Sequence, residues 1–238
     1  MIPPPSMAVI TTGAELISPD ESLRPGQIRD SNGPMLVTMA RDMGLQPPCH
    51  LHAEDRLDAI SEALAKVADR QIVLLTGGVS VGTYDLVPQA LARYGAEVIF
   101  HWVSQKPGKP LLFGRKGSQS IFGLPGNPLA CHFCFHRYVA AAVRRTEGQH
   151  PVADPVLGKL TRPIQPKRGR TYFVAALARR GVEADPNWEV HPLPGTSSAD
   201  VFASAAANCY AELPPGEAPL PAGETVRFTW IGNAPWPN

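Results

Sequence analysis

Cysteine, aromatic residues and net charge are all scarce in this chain, and each scarcity removes a class of protein. Four cysteines in 238 residues are too few for a disulfide framework, so reduced thiols in a cytoplasmic protein are expected. Aromatic residues make up only 7%. Lys and Arg number 22 against 21 Asp and Glu, a net charge of +1. That balance creates no global field for nucleic acid or a membrane surface, so neither is expected as a partner and any anion site has to be local. No apolar run approaches the ~20 residues of a membrane span. The opening Met1-Ile2-Pro3-Pro4-Pro5 lacks the basic and apolar regions of a secretory signal. Internal repeats and low-complexity tracts are also missing. What is present is a 44% hydrophobic content, enough for a core, and 21 glycines and 26 prolines, which promise many turns.

The chain divides at Glu147-Gly148-Gln149-His150-Pro151, where a helical pattern stops and proline density rises, giving domains 1–148 and 149–238. Before that point strand and helix signals alternate. Strands are expected at Met7–Thr12, Gln71–Thr76, Glu97–Trp102, Leu111–Gly114 and Ile121–Leu124. Helices are expected at Met35–Met43 behind an Asp30-Ser31-Asn32 start, and at Arg56–Val67, Asp85–Tyr94 and Leu129–Arg145. The fold class is α/β: a three-layer, mostly parallel sheet with helices on both sides. The second part shows only short strands, at Thr171–Leu177, Glu189–His191, Cys209–Leu213 and Thr225–Ile231, and reads as a small C-terminal β domain.

Glycine-bearing turns punctuate the first part. They are Thr12-Gly13-Ala14-Glu15, Gly77-Gly78-Val79-Ser80-Val81-Gly82 with Asp85, Lys106-Pro107-Gly108-Lys109-Pro110, and Gly123-Leu124-Pro125-Gly126-Asn127-Pro128. In a parallel sheet such turns open at the carboxyl edge, where ligands sit. Glycine lets backbone amides approach a ligand closely, and helix starts favour negative charge. Lys106 and Lys109 add mobile positive charge; Glu15, Asp30 and Asp85 add carboxylates suited to Mg²⁺ beside a phosphate. A phosphorylated small molecule is the expected ligand.

Three rival chemistries are weaker. Gly78-Val79-Ser80-Val81-Gly82 matches the nucleophile elbow of hydrolases, with Asp154 or Asp185 and then His191 as partners. Those partners fall in the β domain, and a hydrolase has no use for the Lys-Pro-Gly-Lys-Pro and Gly-Leu-Pro-Gly-Asn-Pro segments. Cys131-His132-Phe133-Cys134-Phe135-His136 suggests metal, but on a helix its cysteine and histidine faces point apart, so buried thiols are expected. His50-Leu51-His52 with Glu54 lacks a third and fourth ligand, and Lys167-Arg168-Gly169-Arg170 reads as a solvated turn.

Taken in order, Thr12-Gly13-x-Glu15-Leu16, Pro25-Gly26-Gln27-Ile28-x-Asp30-Ser31-Asn32, the Gly-Gly-Val-Ser-Val-Gly stretch with Asp85, Lys-Pro-Gly-Lys-Pro and Gly-Leu-Pro-Gly-Asn-Pro resemble the molybdopterin molybdenumtransferases, which include the enzymatic part of gephyrin. The resemblance is strong over residues 7–146. It continues weakly through Gly169-Arg170-Thr171-x-Phe173, Ser197-Ser198, Asn208 and Ala222-Gly223-Glu224. It implies insertion of molybdenum from molybdate into adenylylated molybdopterin with release of AMP, assisted by Mg²⁺. It implies that Thr12, Gly13, Asp30, Ser31, Asn32, Gly77, Gly78, Ser80, Gly82, Lys106, Lys109, Pro125, Gly126, Asn127 and Ser198 bind substrate. Glu15 and Asp85 match acidic positions that serve catalysis and the metal.

The chain also departs from that pattern. Family members carry two further domains before the Thr-Gly-x-Glu-Leu strand, whereas six residues precede Met7 here, so a homodimer or a separately encoded N-terminal half is expected as partner. Ala14 stands where the family has Asp, a later family Ser is either displaced or replaced by Ala203, and Gln46-Pro47-Pro48-Cys49 is expected to interrupt the second strand. Besides the transferase, a molybdopterin-binding module without turnover and a molybdopterin adenylyltransferase remain as alternatives.

Overall fold

The structure, a computed structural model, describes residues 2–78, 86–151, 155–181, 187–193 and 205–232. The chain forms two compact units: Met1–Val103 with Pro110–Pro151, and Ser104–Lys109 with Val152–Asn238.

The first unit begins with β1 (Met7–Thr12), a small parallel pair β2 (Leu16–Ile17) and β3 (Ile28–Arg29), then α1 (Asn32–Asp42), β4 (Cys49–Ala53), α2 (Leu57–Lys66) and β5 (Ile72–Thr76). It continues with α3 (Leu86–Tyr94) and β6 (Glu97–His101). The chain then leaves for the second unit through β7 (Gln105–Lys106), and returns as β8 (Leu112–Lys116) and β9 (Gln119–Leu124). A long helix follows: α4 (Pro128–Cys134), a π-helical turn (Phe135–Val139) and α5 (Ala140–Thr146).

The sheet runs β4-β1-β5-β9-β8-β6, with β4, β1, β5 and β9 parallel and the β8 hairpin partner reversed. Every residue of β1 and β5 is buried, because helices cover both faces. On one face Ala8, Ile10, Val73, Leu75 and Ile121 meet Ile60, Leu64 and Val67 at α2 and Val87 and Leu91 of α3. On the other, α1 packs on β1 and α4 on β9. Pro47 and Pro48 do not interrupt the second strand as expected. They precede it, and β4 pairs on one side only, so the prolines never have to donate to a ladder.

The second unit comprises β7, β10 (Val156–Leu160), β11 (Thr171–Arg180), β12 (Trp188–Pro192), β13 (Cys209–Leu213) and β14 (Thr225–Trp230). The order β12-β10-β14-β13-β11 closes on itself through β11–β12, a five-stranded barrel that leaves few open edges. Ten-residue β11 makes this closure possible: Tyr172–Ala176 pair with β13, and Ala176–Arg180 pair with β12. The edge left open along the start of β11 is covered by β7, in register Thr171↔Gln105 and Tyr172↔Lys106. Leu160, Val174, Ala176, Val190, Ala211, Val226 and Phe228 fill the interior. No helix among the described residues is long and apolar enough to cross a membrane.

Candidate functional site

Three adjacent parallel strands of the first unit run directly into glycine-bearing turns. Gly13 follows β1, Gly77-Gly78 follow β5, and Pro125-Gly126-Asn127 follow β9. Gly77 and Gly78 have φ of +95° and +61°, the left-handed region that favours glycine. A Cβ on Gly77 would also lie 2.3 Å from the Thr12 carbonyl oxygen and 2.7 Å from Thr12 Oγ1. The turns after β1 and β5 therefore meet backbone to backbone, an approach open to glycine alone. Gly126 completes the row, its Cβ position 3.8 Å from Gly77 Cα.

Asn32, at the start of α1, ties this rim together. Its Nδ2 donates to the Gly126 carbonyl at 2.7 Å and to Thr76 Oγ1 at 3.0 Å. The Thr76 hydroxyl donates to the Pro125 carbonyl at 3.3 Å, and the buried Cys131 thiol bonds to Thr76 as well. Two polar atoms are left over: Asn32 Oδ1 and Thr12 Oγ1 are buried with no hydrogen-bond partner among the described residues. Buried polar atoms are almost always paired, so two orphans at one rim mark where a ligand's polar groups belong.

Asp30 sits beneath the rim. Its Oδ1 accepts from the Gly33 backbone N–H at 2.9 Å, and its Oδ2 lies 3.2 Å from His50 Nε2. Thr11 bonds to the carboxylate and also lies 3.3 Å from His50 Nε2. Burial raises the Asp30 pKa, but the bonds from His50, Gly33 and Thr11 outweigh it and leave the carboxyl below its ordinary value. Both oxygens are thus engaged, Oδ1 by the first turn of α1 and Oδ2 by His50 of β4. Ser31 is the N-cap but makes no side-chain capping bond. Glu15 is exposed, its carboxylate folded against Gly13. Asn127 is the N-cap of α4.

Other expected residues fall elsewhere. Ser80, Gly82, Asp85 and Ser198 lie outside the described residues, as do Asp154, Asp185 and Ala203. Lys106 and Lys109 belong to the second unit, because the Lys-Pro-Gly-Lys-Pro segment is not a turn of the α/β sheet but the β7 strand and its continuation. His191 also lies in that unit, its Nδ1 2.8 Å from Thr161 Oγ1. Cys131 and Cys134 are buried; burial pushes the Cys131 thiol up to about 12 and raises Cys134 too, which makes both poor metal ligands. No group of three or more His, Cys, Asp and Glu side chains among the described residues could hold a metal. Sequence reasoning missed Thr76, Thr11 and the true partner of His50. The available signal was Thr76 itself, a hydroxyl at the last strand position before Gly-Gly.

Residues 8–145 match the family described as probable molybdopterin binding domain, and residues 158–230 match the MoeA C-terminal region (domain IV). The chain belongs to the probable molybdopterin binding domain family. Among curated relatives, the molybdopterin molybdenumtransferase of Staphylococcus aureus strain MRSA252 is 35% identical over 231 residues, covering 95% of this chain and 54% of that protein. The one from Staphylococcus epidermidis strain RP62A is 33% identical over 223 residues, covering 93% and 53%. This chain therefore spans about half the length of the curated relatives it matches. The solved molybdopterin biosynthesis MoeA protein of Pyrococcus horikosii aligns with a TM-score of 0.77 at 26% identity, covering 95% of this chain and 54% of that one. A molybdenum cofactor biosynthesis protein from Pyrococcus furiosus shares the fold, with a TM-score of 0.69 at 21% identity over 96% of this chain and 68% of that one.

Proposed function

We propose that this chain acts in molybdenum cofactor biosynthesis, inserting molybdenum from molybdate into adenylylated molybdopterin with release of AMP. The observation that carries the reading is the rim of the first unit. Glycine turns stand side by side there, and buried Thr12 Oγ1 and Asn32 Oδ1 wait for partners, in a family of molybdopterin binding domains. The names of the relatives, molybdopterin molybdenumtransferase, support the reaction.

Each residue has a task in this reading. Gly13, Gly77, Gly78, Ser80, Gly82 and Gly126 receive the pyrophosphate and the groups next to it, since small residues allow backbone amides to reach oxygen atoms. Thr12, Ser31, Asn32, Pro125 and Asn127 contact the pterin and nucleotide. Asp30 serves by holding α1, and through it Asn32, in place. In the second unit Lys106 and Lys109 attract molybdate, a tetrahedral dianion, and Ser198 contributes a hydroxyl. The dithiolene chemistry belongs to the pterin; the protein supplies placement and charge.

Magnesium suits this donor set. Glu15 offers an exposed carboxylate beside the first turn, Asp85 lies outside the described residues, and Mg²⁺ needs only one or two carboxylates when substrate phosphates and water complete its shell. Asp30, with both oxygens engaged, does not fit that role. When bound, the ion neutralises charge on the phosphoanhydride. We place the protein in the cytoplasm, acting as a homodimer or with a separately encoded N-terminal half.

The test uses the purified chain with adenylylated molybdopterin, Mg²⁺ and molybdate. Molybdate-dependent AMP release is expected, and Asp85→Ala should abolish it while preserving ligand binding. Tight binding without AMP release would reduce the protein to a binding module. ATP consumption with unmodified molybdopterin would make it an adenylyltransferase, a reading the C-terminal barrel disfavours. AMP release by Asp85→Ala at the original rate would remove that residue from catalysis.

A further inference from the structure

The rim of the first unit rests on a side chain that none of the glycine turns contains. His50, on edge strand β4, pairs in register with Val9 of β1, and its ring lies against the first turn of α1: a Cβ on Gly33 would fall 2.3 Å from it. Its Nε2 is 3.2 Å from Asp30 Oδ2. An ionised carboxylate can only accept, so Nε2 carries the proton in this pair. The other Asp30 oxygen accepts from the Gly33 N–H at 2.9 Å. That bond stands in for a cap, because Ser31 at the N-cap position makes no side-chain capping bond. Asn32 lies between Asp30 and Gly33, so its backbone is held on both sides. Its Nδ2 faces the Gly126 carbonyl, which only accepts, and this leaves Oδ1 as the buried atom without a partner among the described residues. Oδ1 is itself an acceptor. The ligand group it meets must be an N–H or O–H, which a pterin or a ribose offers and an ionised phosphate does not.

We infer that His50 is a positioning residue which, through Asp30 and Gly33, sets where Asn32 Oδ1 meets a donor group of the ligand. The inference rests on the reading above only in taking adenylylated molybdopterin as that ligand. His50 restrains the start of α1 in two ways, by the bond to Asp30 and by the contact of its ring with Gly33. A hydrogen bond is lost within a fraction of an ångström of drift, so a loosened α1 weakens ligand binding without any contact from His50 itself.

The experiment measures equilibrium binding of adenylylated molybdopterin to the full chain, and KM and kcat for AMP release, in wild type, His50→Leu and His50→Gln. Leu keeps bulk beside Gly33 and removes the donor; Gln restores an N–H at the reach of Nε2. His50→Leu should weaken binding and raise KM roughly tenfold, the size of one hydrogen bond to a charged group, with kcat within about twofold of wild type. His50→Gln should recover most of that loss. In an Asn32→Ala background His50→Leu should cost nothing further, because its effect runs through Asn32. A readout free of ligand follows the same route: solvent exchange of the Asn32 side-chain amide protons, read by NMR, should quicken in His50→Leu and stay slow in His50→Gln. Thermal unfolding of each variant separates lost binding from lost folding. Should His50→Leu fail to fold, His50→Asn, whose amide is too short to replace Nε2, takes its place. Wild-type affinity in a folded His50→Leu overturns the positioning role. So does a fall in kcat with KM unchanged, a loss that adds in full to that of Asn32→Ala, or a folded His50→Gln as impaired as His50→Leu. The two readings fail differently. His50-dependent binding without AMP release keeps the positioning role and sinks the reaction. AMP release with an unchanged KM in His50→Leu keeps the reaction and sinks the positioning role. If wild type binds no adenylylated molybdopterin, that ligand falls, and exchange at Asn32 alone decides whether His50 sets its place.

Discussion

Gly33 exposes a conflict between helix propensity and packing at a single residue. It lies in the first turn of α1, where Ala in place of Gly gains up to ~1 kcal/mol from propensity. Yet a Cβ there would fall 2.3 Å from the His50 ring and 2.6 Å from Asp30 Oδ2. Neither neighbour is free to retreat, because they hold each other and Thr11. Overpacking of this kind costs roughly 1–3 kcal/mol, so Gly33→Ala should lower stability in urea unfolding despite the better helix former. In a His50→Ala background the ring is gone and the same change should cost less. An equal cost in both backgrounds would show that the ring is not what the Cβ meets.

The long helix after β9 was expected as one regular α-helix, and the structure instead inserts a π turn over Phe135–Val139. Phe135, Val139 and Val143, spaced by four along this element, are all buried. The same element carries His132 and His136, whose rings meet edge to face at 4.6 Å. Burial lowers the His132 pKa to about 4. Burial, then His132 and Arg144, lower that of His136 to about 3. In the unfolded chain both would titrate near 6.5. Unfolding therefore takes up protons below about 6.5, and stability should fall steadily as pH drops from there toward about 4. Asp30 acts in a lower window, adding stability above its ordinary 3.8 and losing it as pH falls through its depressed folded value. Urea midpoints from pH 7 to pH 4 test this. Replacing both histidines with Gln should flatten the slope across that range, whereas an unchanged slope would place the titrating groups elsewhere.

At the scale of the whole molecule, legibility followed whether a feature's cause was local. Met7–Thr12 and Ile72–Thr76 could be read because each apolar run ends in glycine, and their adjacency follows from parallel-sheet logic. β7 could not, since a two-residue strand exists only through Thr171 and Tyr172, far along the chain. β10 was not expected, and Gly158 at its centre is a residue that weakens a strand signal. It is glycine because a Cβ there would lie 2.7 Å from Val190 Cγ2 and 2.9 Å from the Trp188 carbonyl oxygen. At the site, the Asp30-Ser31-Asn32 helix start was visible. That Asp30 supplies the anchoring bond depends on His50 and Thr11 from neighbouring strands. Burial across the chain also decides which of its four thiols can react. Cys49 is exposed at the start of edge strand β4; Cys131, Cys134 and Cys209 are buried. Burial holds Cys131 and Cys209 at about 12, so almost no thiolate exists at neutral pH even where a reagent could enter. Iodoacetamide on the native protein should add one label, at Cys49, and four after denaturation. Cys131 and Cys134, on one buried helix face, should become reactive together as urea is raised. Native labelling of Cys209 would mean that the barrel interior is open, and early labelling of Cys131 alone would mean that α4 does not pack as a unit.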